Sequence, residues 1–239
     1  MSDHSDQNQP FEFAVPASDI LEFKQRLVHR LKVLSAEFSS DSFYMPVGIF
    51  LLLDKQNGGD ATADELMRRF GLLDFESRTS LDFYFLGWRP IDASDKQRGI
   101  SFDLRSFEEF RDALKKAGLR KFGGNADLIL VDAHFSGGKA RLNFSEAIRI
   151  DLAAGVPEYF ASLGHFLQEI IEAAEAIRNS ERLSPEPVVW QMSDRLGLII
   201  GKQSLLDFIL EKWGKVMGAK GIASLAVREL GPDTPLENL

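Results

Sequence analysis

The chain has no cysteine among its 239 residues. That absence excludes disulfides, thiol nucleophiles, Cys-ligated zinc and iron–sulfur clusters at one stroke. It fits a reducing compartment, and the expected location is cytoplasmic. Histidine is nearly as scarce, with four in all. His4 lies in a polar N-terminal stretch, His29 and His165 on helical periodicities, and only His134 in a strand-like run. No apolar run approaches the ~20 residues that span a bilayer, and Met1–Gln9 lacks the apolar core of a secretory signal. No membrane partner is expected. Positive charge is also in short supply, at a net −8. The small basic clusters, Arg68-Arg69 and Lys115-Lys116 with Arg120-Lys121, sit where helix C-termini favour cations. A nucleic-acid partner, which needs clustered Lys and Arg, is not expected. The glycine-rich phosphate loops and the G-x-S-x-G nucleophile elbow are missing as well.

Apolar residues make up 44% of the chain, and phenylalanine alone occupies 19 positions. A chain of this kind buries a large core. The expected organisation is a single α/β domain over residues 11–230, preceded by a disordered tail (1–10) and followed by a loose C-terminal tail (231–239).

Read in order, Phe11–Val15 alternates and stops at Pro16, as a short edge strand would. Ser18 or Asp19 caps a helix to about Phe38, with Phe23, Leu27, Leu31 and Leu34 on one stripe. Pro46 opens Val47–Asp54, which lacks alternation and reads as a strand buried on both faces. Thr62-Ala63-Asp64-Glu65 and Ser106-Phe107-Glu108-Glu109 read as capping boxes of two further helices, with strand Leu81–Trp88 between them. Asp127–Phe135, the turn Ser136–Lys139 and the return Ala140–Asp151 form a hairpin, the densest collection of reactive groups in the chain. A long helix follows from Pro157 to about Asn179. Val188–Met192 and Leu196–Ile200 read as strands, and Ser204–Val216 as a helix that is apolar around more than half its girth. The fold class is therefore α/β, a three-layer mixed sheet with helices on both faces and added N- and C-terminal helices. From Pro46 to Asn179 the order is βαβαββα, which thioredoxin-like folds also use. The Cys-x-x-Cys of redox-active members is absent.

Two sites come forward by position. Asp54 ends a buried strand, and Gly58-Gly59 precede a helix start, where free N–H groups attract small anions. Asp60 and Asp64 weigh against phosphate there. The second is a metal site. Asp132 and His134 lie two apart and share a strand face, whereas Asp127 faces the other way. Asp54 from a neighbouring strand end would complete a set of Asp54, Asp132 and His134, with Glu146 as base. The leading functional expectation is a non-catalytic binding or interaction module acting on a protein partner or a second copy of itself. A small anionic ligand at Gly58-Gly59 would be secondary. The alternative is a metal-dependent hydrolase. No cofactor is indicated.

Overall fold

The computed structural model describes residues 14–68, 80–90, 100–119, 126–153, 162–177, 183–196, 200–202 and 226–239. The expected tail at 1–10 and the helix at Ser204–Val216 lie outside them. Strands β1 (Ala14–Ala17), β2 (Ser42–Leu52), β3 (Asp82–Leu86), β6 (Ala126–Ser136), β7 (Lys139–Asp151), β8 (Ile200–Lys202), β9 (Ala226–Arg228) and β10 (Asp233–Pro235) form one mixed eight-stranded sheet. Its order is β1-β3-β2-β6-β7-β9-β8, with β10 also on β7. A separate two-stranded ribbon joins β4 (Trp88–Pro90) to β5 (Ile100–Phe102). The helices are α1 (Ile20–Phe38), α2 (residues 61–68), α3 (Leu104–Lys116), α4 (Leu163–Ile177) and α5 (Val189–Arg195). Among the described residues, no helix is long and apolar enough to cross a membrane.

Strand β2 organises the sheet. It pairs in parallel with β3 from Val47 to Phe50 and antiparallel with β6 over its whole length. Every residue from Met45 to Leu52 is buried, so the unbroken apolar run reflects burial on both sides. Its alternate residues enter two clusters. Phe43, Met45, Val47, Ile49 and Leu51 join Phe23, Leu27 and Leu31 of α1 and Phe107 and Phe110 of α3. Phe50 and Leu52 join Leu66 of α2, Phe166 and Ile170 of α4, and Val189 and Met192 of α5. Gly48 faces the second cluster because nothing larger fits. A Cβ there would lie 2.4 Å from the Phe83 ring. Trp88 is buried and donates from Nε1 to the Leu52 carbonyl at 3.2 Å, an anchor of the core.

Pro46 does not begin β2; it lies within it. The Tyr44 N–H donates to the Ser184 carbonyl at 2.8 Å, away from β6. Pro46, two residues on, therefore directs its nitrogen away from β6 as well, past the end of β3, where no ladder donor is required. Pro16 is tolerated because β1 is the sheet edge.

Several local expectations are corrected. The caps of α2 and α3 are the acids upstream of the two boxes: Asp60 accepts from the Thr62 N–H at 2.7 Å, and Asp103 from the Ser106 N–H at 3.2 Å. Short acidic side chains compete directly for the same amides. Val188–Met192 is not a strand but the start of α5. A short apolar run suits either state, and here a distant carboxylate caps the helix start, as described below. Residues 231–239 are not loose. Strand β10 pairs with β7, and Leu236 and Thr234 are buried. An apolar residue every few positions was enough to anchor a stretch whose two prolines suggested a tail.

Candidate binding site

The hairpin between β6 and β7 turns on Gly137 and Gly138, both with positive φ (54° and 78°), as a two-residue turn matched to strand twist requires. That turn sets Ser136 opposite Lys139, and by the same register His134 opposite Arg141 and Asp132 opposite Asn143. Beyond Asp132 the register shifts, so that Leu130 faces Ile148 and residues 144–147 bulge. Glu146 lies in that bulge. On the other side of β6, Tyr44 lies opposite His134 and Pro46 opposite Asp132. The direction of the Tyr44 N–H makes these non-hydrogen-bonded pairs, whose side chains approach most closely. Tyr44 and His134 accordingly stack with ring centroids 4.3 Å apart and planes 8° from parallel. Asp233 of β10 lies opposite Asn143 and accepts from Arg141 Nε at 2.7 Å. Tyr44, Asp132, His134, Arg141, Asn143, Glu146 and Asp233 thus occupy one end of one sheet face.

Asp132 is the centre of this group. It is 0% exposed. Its Oδ2 accepts from the Val188 and Val189 N–H groups at 3.0 and 3.1 Å. Helix α5 has no side-chain cap of its own, so Asp132 satisfies two of its orphan donors from across the fold. The approach is held by the Tyr44–Ser184 bridge and by Ser184 Oγ, which donates to the Glu186 carbonyl at 2.6 Å. The other oxygen, Oδ1, is buried with no hydrogen-bond partner among the described residues. Among the described residues, no cation is paired with the group. Burial pushes the Asp132 carboxyl up to about 7, against the pull of the two amides and with the help of Glu146. Burial, then Glu146, Asp233 and Asp132, also raises the Tyr44 hydroxyl.

The three proposed metal ligands do not assemble. Asp132 and His134 share a face near the start of β2, but Asp54 follows its far end, about 25 Å away at ~3.3 Å per strand residue. No group of three His, Cys, Asp or Glu suited to a metal occurs among the described residues. Asp127 lies on the opposite face, 3.8 Å from Arg149. The Asp54–Gly59 loop is closed on itself. The Asn57 and Gly59 N–H groups both donate to the Asp54 carbonyl, at 3.1 and 2.8 Å, and Gly58 donates to Lys55. Asp54 Oδ1 accepts from the Asn57 N–H at 3.0 Å. Those three amides are already engaged and do not form an anion cradle.

Sequence reading singled out Asp132, His134 and Glu146 but missed Tyr44, Arg141, Asn143 and Asp233. The Gly137-Gly138 turn carried the signal for Arg141 and Asn143, since a two-residue hairpin sets every pair that follows it. Tyr44 and Asp233 come from strands whose pairing no local pattern encodes. No family model, curated protein or solved structure matches this chain.

Proposed function

We propose that this protein is a non-catalytic binding module that works through protein contacts, with a partner protein or a second copy of itself, and that the polar end of the β2–β6–β7 face is its contact surface. The observation that carries the reading is Asp132, a buried acid with one oxygen satisfied by helix amides and the other by nothing among the described residues. A structural acid normally has its cation or its full set of donors. Asp132 is itself 0% exposed, so a partner would meet the side chains around it. Around it stand a half-buried Tyr44–His134 stack and Arg141, side chains of the type that anchor interfaces. The described residues leave few large apolar side chains exposed, chiefly Leu21 and Leu104, so a polar anchor suits this molecule better than a greasy one. The three-layer arrangement and the thioredoxin-like order draw support from the two core clusters and from the sequence of elements β2, α2, β3, α3, β6, β7, α4, with the β4–β5 ribbon as an addition.

The test places a photo-crosslinking amino acid at Tyr44 in the full chain. Irradiation in cells should give one discrete adduct, with another protein or with a second copy, and Arg141→Glu should abolish it. Crosslinking indistinguishable from that at the exposed Leu21 would sink the proposal.

A further inference from the structure

A cavity of about 340 Å³ opens between α1, the tip of the β6–β7 hairpin and β10. Its apolar lining is Val28, Ala140, Pro235 and Leu236, and its charged lining is Lys24, Lys139, Arg141 and Glu237. The volume falls in the range of sites that enclose small organic molecules, about 300–1,000 Å³. Leu236 belongs to the first core cluster, and Val28 and Ala140 pack against it, so the floor is a rigid extension of the core. The charge is unusual for this chain. Three cations and one carboxylate surround the cavity in a protein of net charge −8. Arg141 is held by Asp233. Lys24 donates to the main-chain carbonyl of Glu237 at 3.4 Å, which leaves its charge uncompensated by that contact. Lys139, exposed beside the turn, has no ion-pair partner among the described residues.

We infer that this cavity is a binding site for an amphipathic monocarboxylate, with the carboxylate between Lys24 and Lys139 and the hydrocarbon on Val28, Ala140 and Leu236. A lysine ammonium is a point charge that suits a single anionic head without bidentate geometry. The Glu237 side chain disfavours a more highly charged head such as phosphate. Apolar area removed from water supplies the rest of the attraction. This site borders the Asp132 face at Arg141, which lines both, but it includes neither Asp132 nor the Tyr44–His134 stack and does not rest on the proposed contact role of that face.

Calorimetric titration of the full chain with decanoate tests it, with decanol and inorganic phosphate as comparisons. Decanoate should bind at least tenfold more tightly than either. Lys24→Gln with Lys139→Gln should weaken decanoate at least tenfold and leave decanol unchanged; both lysines reach solvent, so the variant should fold, which its unfolding midpoint checks. Asp132→Asn should leave the affinity as it was. Failure of decanoate to bind, equal affinity for phosphate, or an unchanged affinity in the lysine variant would each overturn the assignment.

Discussion

Two acids on the same sheet are buried in opposite ways. Asp82, at the start of β3, is 3% exposed and accepts from Arg30 Nε through both oxygens, at 3.1 and 3.3 Å. Asp132, in β6, is 0% exposed and meets no cation among the described residues. The first is a core device: a charge taken out of water together with its counterion, and with α1 docked on the sheet as the result. The second holds a carboxyl where its ionised form is poorly solvated and one oxygen stays unsatisfied. A fold needs the first kind. The second costs stability, and its presence at the inner end of a polar, aromatic-flanked sheet face is the reason that face is proposed as the contact surface.

The comparison can be broken most forcefully at Arg30. Arg30→Ala leaves Asp82 buried and uncompensated, and urea unfolding should show a loss of about 3–5 kcal/mol. The second break is at Asp132 and is read against pH. A carboxyl raised in the folded state keeps its proton where the unfolded chain has lost it. Its contribution therefore falls as pH rises from the unfolded value of ~3.9 to the folded value of about 7, and is level beyond. The slope is ~1.4 kcal/mol per pH unit. Asp132→Asn should remove that slope and unfold at higher denaturant than the parent protein at pH 8. An unchanged pH profile would show that Asp132 titrates as an ordinary acid. A smaller effect is expected at Asp103, the cap of α3, where Ala should cost about 1 kcal/mol in the same unfolding measurement. Smallest is Arg141→Ala. Its pair with Asp233 is 41% and 44% exposed, so the loss should stay under ~1 kcal/mol. A larger loss would mean that Arg141 is a structural tie and not a contact residue.

Elements with strong periodicity were legible from the chain alone. Helix α1 ends where its stripe ends, and the hairpin turns on its two glycines, because each signal is local and nothing competes with it. Legibility failed where one local pattern served two states. Val188–Met192 is apolar and short enough for a strand, and its helix start is capped by the Asp132 carboxylate from a distant strand, a contact no local pattern shows. The stretch after Gly231 looked like a tail until β7 provided an edge for Asp233–Pro235. The site divided in the same manner. Asp132 and His134 were paired by strand alternation alone, whereas Asp54 was joined to them on the assumption that strand ends meet, and the β2–β6 register places it at the other end.

Residue order by itself thus determined the composition of the core, the central hairpin, the exclusion of thiol chemistry and the shared face of Asp132 and His134. These follow from side-chain chemistry and from the fixed periods of strand and helix. The tertiary structure alone decided which acids found arginines. Arg30 meets Asp82 and Arg149 lies beside Asp127, but the register and the bulge leave Asp132 with helix amides in place of a cation. Such pairings depend on distances between segments far apart in the chain, and no local propensity carries that information.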